Sequence, residues 1–135
     1  MSSQKTEHYQ LHQWSLSDEF RTAEVNENFQ LLDTAARVVV GTYVGDGAES
    51  RHIELGFQPL AVLVANDHGQ MSAYNTAACG GLTVPGLTLY QQGNAPVMEI
   101  DGTGFTVYRK LADVGTAYMV RANYPDQTFV YLALR

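Results

Sequence analysis

Charged side chains are scarce in this chain, and basic ones especially so. Of its 135 residues only 8 are Lys or Arg, against 14 Asp or Glu, which leaves a net charge of -6. Nucleic-acid binding depends on clustered cations that neutralise phosphates, so the absence of a basic block argues against it. The hydrophobic fraction of 45% excludes wholesale disorder, and the length predicts one domain with a real core plus a short appendage.

Further cysteines, long apolar runs and a signal peptide are missing too. The single cysteine, Cys79, excludes an intrachain disulfide and cannot by itself make a structural zinc site. No run approaches the ~20 apolar residues of a membrane span. The segment from Met1 to Tyr9 is polar and lacks the apolar centre of a signal peptide. We therefore expect a protein that is made in the cytoplasm and does not insert into membranes.

The stretch from Arg51 to Asn66 sets the expected architecture. Its first half alternates apolar and polar residues, which predicts a strand with one wet face. After a break at 56–59, residues 60–65 are apolar on both faces, which predicts a strand covered on both sides. One cover is the core of the domain itself. The other is either the N-terminal segment or another subunit.

The N-terminal segment predicts a helix. Residues 1–16 have no clear period and predict an irregular lead-in. Ser17-Asp18-Glu19 predicts the helix start, because a serine oxygen accepts a free backbone N–H and acids favour the positive first turn. From there the apolar residues follow helical spacing, at Phe20, Val25, Phe29, Leu32 and Ala36. This pattern fits either a short oligomeric stalk or one amphipathic helix packed on a sheet.

After Arg37 the pattern changes to strands and turns. Strands are predicted at 38–44, 70–74, 87–90, 97–101, 105–108, 116–123 and 128–134, besides the two described above. Segments 75–85 and 109–115 are predicted to be irregular, and the first of them to be a long loop.

Turn chemistry and apolar patterning give the expected arrangement of these strands. Asp101-Gly102-Thr103-Gly104 predicts a hairpin connection, and Tyr124-Pro125-Asp126-Gln127 predicts a β-turn. The last strand and the strand at 60–65 both lack a polar face, so we expect them to lie side by side. The fold class is mainly β. We expect an antiparallel β-sandwich of about six to eight strands in residues 37–135, preceded by a short α-helix within residues 1–36.

Metal and thiol chemistry have weak candidates. His8 and His12 are four residues apart, as on one face of a helix, but no acidic partner stands at the right offset. Asp67-His68 beside a glycine predicts an exposed turn. Cys79 lacks the flanking residues typical of thiol enzymes. We therefore expect no metal and no cofactor.

Carboxylates give the remaining catalytic candidates. Glu99, Asp101 and Asp113 could supply the pair of acids that glycoside cleavage requires, although acids in hairpins are more often simply solvated. No other catalytic motif is present. We expect a protein that is not an enzyme.

Aromatic and amide side chains at strand ends and in loops suit a binding site better. Flat rings stack on the C–H faces of sugars, while amides and acids bond to sugar hydroxyls. A tyrosine at a strand end also commonly packs with its hydroxyl in water and binds nothing. The candidate ligand-binding residues are Tyr74, Asn75, Tyr90, Gln92, Asn94, Asp113 and Tyr118.

Motifs along most of the chain resemble a known group of proteins. Tyr9-Gln-Leu-His-Gln-Trp-Ser-Leu-Ser-Asp-Glu-Phe, followed by Val25-Asn-Glu-Asn, resembles the opening of small tail proteins in phages and prophages of gut Firmicutes. The β domain of those proteins is similar to Gly41-Thr-Tyr-Val-Gly-Asp-Gly, Ile53-Glu-Leu-Gly-Phe-Gln-Pro-Leu-Ala-Val-Leu-Val and the closing Thr128-Phe-Val-Tyr-Leu-Ala-Leu. Gly104-Phe-Thr-Val also resembles a hairpin of H-type lectins, trimeric sandwiches that bind N-acetylgalactosamine. The tryptophan typical of the late lectin strands is absent, since Trp14 is the only one here.

The resemblance implies a virion protein. It implies a chain made in the bacterial cytoplasm that acts in a virion or tail-like particle, as a trimer, beside other tail proteins. It also implies recognition of a host surface glycan without catalysis. Two alternatives stay open: a structural tail or baseplate component without a ligand of its own, and a glycan-cleaving enzyme that uses the three acids above.

Overall fold

A computed structural model of the chain describes residues 1–35, 37–73, 77–91, 95–111 and 118–135, with the backbone alone at 73, 118 and 119. The chain divides into two units, Met1–Ala36 and Arg37–Arg135. The prediction of a mainly β protein with one short helix is confirmed for the described residues. No helix among them is long and apolar enough to cross a membrane.

The first unit is a short hairpin with a helix packed on it. Strands β1 (Gln4–Lys5) and β2 (His12–Gln13) pair antiparallel, where the sequence predicted an irregular lead-in. Helix α1 (Thr22–Asp33) packs on β2 through the Asn28 amide, which accepts from the His12 backbone N–H at 2.6 Å and donates to its carbonyl at 3.1 Å. The Asn28 side chain thus satisfies the backbone N–H and carbonyl of His12, as a neighbouring strand would do.

The predicted helix start is wrong. The helix begins at Thr22 after Arg21, which makes no side-chain cap. The Asp18 carboxylate instead accepts from the Ser15 backbone N–H at 2.7 Å and from the backbone and hydroxyl of Ser3 at 3.0 and 2.7 Å. A capping pattern in the sequence therefore closes a turn that holds the chain start against residues 15–18.

The apolar helix positions do not form the inner face of this unit. Glu24, which accepts hydrogen bonds from the Ser2 backbone and from the Trp14 indole, is the buried helix residue, whereas Phe29 is 65% exposed and Leu32 43% exposed. Phe20 lies before the helix and is also exposed, and position 36 lies outside the described residues. The apolar residues that the sequence placed along one side of the helix are thus not packed together inside this unit.

Asp18 gives the first unit a pH-dependent element. Hydrogen bonds from the Ser15 backbone and from Ser3 lower the pKa of Asp18 from 3.8 to about 2. A carboxyl whose pKa is depressed by folding stabilises the folded state above its unfolded pKa, and this stabilisation is lost as pH falls toward the folded value. We expect the Ser3 and Ser15 amide protons to shift in NMR spectra with a midpoint near the folded pKa, and the step to vanish in Asp18→Asn. A midpoint at the unfolded value would contradict these contacts.

The described strands of the second unit form two sheets. Its strands are β3 (Val38–Val44), β4 (Ser50–Glu54), β5 (Ala61–Asn66), β6 (Ser72–Ala73), β7 (Ala77–Ala78), β8 (Gly81–Thr83), β9 (Leu89–Gln91), β10 (Ala95–Asp101), β11 (Gly104–Leu111), β12 (Tyr118–Arg121) and β13 (Thr128–Leu134). The small sheet has the order β3-β13-β5-β8, so the prediction that the last strand lies beside residues 60–65 is confirmed. The large sheet has the order β6-β7-β12-β11-β10-β9.

One long strand organises the large sheet. Strand β11 pairs with β10 along one edge, through the hairpin in which Asp101 faces Gly104, as predicted. Its other edge pairs first with β4, from Gly104 to Tyr108, and then with β12, from Arg109 to Leu111. The predicted irregular segment 109–115 therefore begins as strand, because β12 continues the pairing that β4 leaves.

The predicted loop 75–85 is largely replaced by strands in its described part. Strand β7 belongs to the large sheet and β8 to the small sheet, so the chain crosses between the sheets at Cys79-Gly80. The small residues that suggested a loop are required by close packing. A Cβ on Gly80 would lie 2.0 Å from the Val64 carbonyl oxygen.

The core draws on both sheets. Phe129 of the small sheet stacks on Tyr43 with ring centroids 5.0 Å apart, and Phe105 of the large sheet meets Tyr43 and Tyr131 edge-on. The Tyr43 hydroxyl donates to the Ala122 carbonyl at 2.6 Å, so its burial leaves no orphaned polar group. The inward residues of β5, Val62 and Val64, are fully buried in the same cluster.

Candidate functional site

The predicted ligand-binding residues fall mostly outside the described parts of the chain. Tyr74, Asn75, Gln92, Asn94 and Asp113 are among the residues that the structure does not describe. The other two lie in strands of the large sheet: Tyr90 is in β9 and is 57% exposed, and the backbone of Tyr118 begins β12.

The described strand ends that flank these residues share one end of the large sheet. Gln91 pairs with Ala95, and Leu111 pairs with Tyr118. Strand β10 begins where the antiparallel β11 ends, and β7 runs parallel to β12, so Ala77 lies at the same end as Tyr118. Segments that are far apart in sequence thus enter and leave the sheet together.

A tyrosine and glutamate cluster lies close to this end. Glu99 of β10 accepts the Tyr108 hydroxyl at 2.5 Å on one oxygen and the Thr88 hydroxyl at 2.9 Å on the other. Burial, followed by the Glu99 carboxylate, raises the pKa of Tyr108 to about 12, and Tyr90 is near enough to add to that shift. The cluster therefore holds a protonated tyrosine and a carboxylate in fixed orientation beside an exposed ring.

A cleft opens next to the cluster. It has a volume of about 490 Å³, within the range of small-ligand pockets. Its walls come from the start of β4, the start of β10 and the end of β11, and they mix an aromatic ring with both signs of charge. The lining residues are Glu49, Ser50, Pro96, Tyr108, Arg109, Lys110 and Leu111.

Sequence reasoning named only Tyr90 and Glu99 from the cluster and the cleft. Tyr108 was placed in a strand, and its position opposite the buried Val107 along β11 could have marked it as outward-facing. No sequence signal could have found Ser50, because it reaches the cleft only by pairing with Tyr108 across more than fifty residues.

The outward face of the small sheet has the opposite character. Its inward positions are buried, but Leu63 is only partly covered, Val40 is 72% exposed and Leu82 is 58% exposed. The described residues of the second unit thus provide no second cover for residues 60–65. We call the following positions the apolar outer face; they form three rows across the strands: Val40, Leu132, Leu63 and Leu82; Thr42, Val130 and Ala65; and Val38, Leu134 and Ala61.

The histidine candidates serve structural contacts. His12 is buried, and its Nε2 lies 2.8 Å from the Glu27 carboxylate. His68 sits in an exposed turn with Nδ1 2.8 Å from Asp67, beside a second cavity of about 540 Å³. Among the described residues, no group of three or more His, Cys, Asp or Glu is arranged to hold a metal ion.

The cysteine and the carboxylates are engaged as well. Cys79 is fully buried, donates to the Gln70 carbonyl at 3.3 Å, and has its pKa raised by burial, which opposes the thiolate that a nucleophile needs. Both oxygens of Glu99 accept hydrogen bonds from the chain, and Asp101 accepts from Thr106 at 3.3 Å. The third acid, Asp113, lies outside the described residues.

Comparison with known proteins does not assign this site. No protein-family model, curated protein or solved structure matches the chain.

Proposed function

We propose that this chain is a non-enzymatic tail appendage module of a phage or prophage, assembled as a homotrimer, that recognises a host surface glycan. The arrangement of residues 37–135 as an antiparallel β-sandwich is part of the proposal. It is supported by Phe105 of the large sheet, which packs against Tyr43 and Tyr131 of the small sheet.

The observation that carries glycan recognition is the cluster of Tyr90, Tyr108, Glu99 and Thr88 beside the cleft. An exposed ring such as Tyr90 offers a stacking surface for the C–H face of a sugar. The Glu99 carboxylate is fixed by two hydroxyl donors and has lone pairs left for a sugar hydroxyl. A site of this kind binds weakly, so repeated copies in a trimer would raise avidity on a host surface.

Substitution of Tyr90 tests the proposal. We expect Tyr90→Ala to weaken binding to a purified wall polysaccharide or an array glycan about fivefold, because ring stacking is worth about 1 kcal/mol. Binding is measured by interferometry on the full chain. The matched control is Tyr9→Ala, which removes an exposed ring from the first unit and should leave binding unchanged.

Two outcomes would overturn glycan recognition. Equal losses in both tyrosine variants would show that the large sheet has no special role. A folded native chain that binds no glycan on the array and no wall polysaccharide would favour the second candidate, a structural tail component without a ligand. The exposed aliphatic surface of the small sheet supports that candidate, since it suits assembly with or without a ligand.

A further inference from the structure

We infer that the apolar outer face of the small sheet is the surface through which copies of this chain pack together. The inference rests on the proposed homo-oligomer, because it names the surface through which the copies would contact each other. It does not depend on glycan binding. It starts from the registers. Val40, Leu132, Leu63 and Leu82 stand side by side across all four strands, so the middle of the face is a continuous aliphatic row.

The rows that flank this one have the same chemistry. Thr42, Val130 and Ala65 form one of them, and the third is aliphatic throughout. None of the three rows contains a charged residue. Isolated exposed apolar residues are ordinary, but a large contiguous apolar patch marks an interaction surface.

The edge of the sheet is not protected either. Strand β3 is the outer strand on one side, and its outward residues Val38, Val40 and Val44 are 59%, 72% and 52% exposed. Natural proteins usually blunt such an edge with lysine, proline or a bulge. Here the seven-residue strand pairs with β13 in unbroken register and carries none of these features on its outward side.

The chemistry of the face selects its occupant. A sugar needs rings and hydrogen-bonding groups, and the face offers only aliphatic side chains and threonine. A lipid surface is favoured by basic residues, whereas the chain has a net charge of -6. An aliphatic sheet face packs well against another of the same kind, about 10 Å away. The same face in other copies provides that match, either across the two-fold axis of a dimer or around the three-fold axis of the proposed trimer.

The size of the face shows what it contributes. The strands β3, β13, β5 and β8 have 7, 7, 6 and 3 residues. With a rise of about 3.3 Å per residue and a strand spacing of about 4.8 Å, they give a footprint of about 360 Å². A stable interface buries about 800 Å² per partner, so this face forms the centre of a contact rather than the whole of it.

The solution mass of the full chain tests the inference. We expect the native protein at micromolar concentration to have a mass at least twice the 14.9 kDa of one chain. Leu63→Glu and Leu82→Glu each place a charge in the central row, and we expect both to give the single-chain mass. Leu82 lies in the outer strand β8, so its substitution spares the sheet centre if Leu63→Glu fails to fold. Leu87→Glu, which places the same charge at an exposed leucine outside the three rows, is the matched control and should keep the native mass.

The outcomes separate this inference from the proposed function. A native single-chain mass, or folded central-row variants that keep the native mass, would overturn the inference. A dimer would support the face and contradict the trimer. Loss of glycan binding in Tyr90→Ala at unchanged mass would leave the face intact and support recognition by the large sheet.

Discussion

Replacement of Phe129 by alanine is expected to lower the free energy of unfolding of the second unit by about 3–5 kcal/mol. Phe129 is fully buried, stacks on Tyr43, and lies in β13, one of the two inner strands of the small sheet. Truncation removes the contacts of a whole ring and leaves a cavity that the two neighbouring strands cannot close. Since domains of this size are stable by about 5–15 kcal/mol, the variant should be close to unfolded.

Urea denaturation followed by circular dichroism measures the Phe129→Ala effect. Tyr90→Ala is the matched control, because it also truncates an aromatic side chain in the second unit but at an exposed position. Its expected change is within about 0.5 kcal/mol. Similar losses in the two variants would contradict the core described for this fold.

Alanine at Gly80 is expected to destabilise the second unit by about 3 kcal/mol or more, at the upper end of the cost of overpacking. The added Cβ would lie 2.0 Å from the Val64 carbonyl oxygen and 2.6 Å from its carbonyl carbon. Both atoms belong to backbone in β5, which is held on its other edge by β13. The clash can be relieved only by moving the crossing between the sheets.

Gly56→Ala separates this clash from the general cost of replacing a glycine. No atom lies within 4 Å of a Cβ at Gly56, but its φ of +80° is unfavourable for alanine, so we expect a cost of about 1–2 kcal/mol. Thermal unfolding of both variants is compared with that of the native chain. A smaller loss for Gly80→Ala than for Gly56→Ala would show that the crossing is not tightly packed.

In the second unit, local sequence patterns predicted strands well where one face of the strand is exposed to solvent. Ile53 is buried while its neighbours His52 and Glu54 are exposed, as the alternation indicated. The hairpin at 101–104 was also predictable, because its turn residues act locally. The pairing of β13 with β5 was predictable from the composition of both strands, because a strand without a polar face favours the middle of a sheet.

Patterns failed where distant contacts compete with local preferences. The helix-start signal at Ser17-Asp18-Glu19 was misread because Asp18 binds Ser3, which helical periodicity cannot reveal. The apolar spacing of α1 suggested that its apolar residues make the packing contacts, but the helix packs on β2 through the polar side chain of Asn28. The small residues around Gly80 looked like a loop because their close neighbour, Val64, is remote in sequence.

The candidate site shows the same division. Composition selected aromatic, amide and acidic residues as candidates. Two of them belong to the cluster: Tyr90, a candidate ligand-binding residue, and Glu99, a candidate acid for glycoside cleavage. Their association with Tyr108 and Thr88 depends on which strands are neighbours in the large sheet. Hydrogen bonds between side chains on separate strands leave no mark in the spacing of either strand.

By itself, the sequence determined a mainly β chain with one short helix, few charges and an excess of apolar residues in its central strands. These properties follow from composition and from the period of two along each strand, which are local. The tertiary structure alone decided that the excess lies on one exposed sheet face, and that the polar cluster lies on the other sheet. Which residues share a face depends on strand register, and register is fixed by partners that lie far away in the chain.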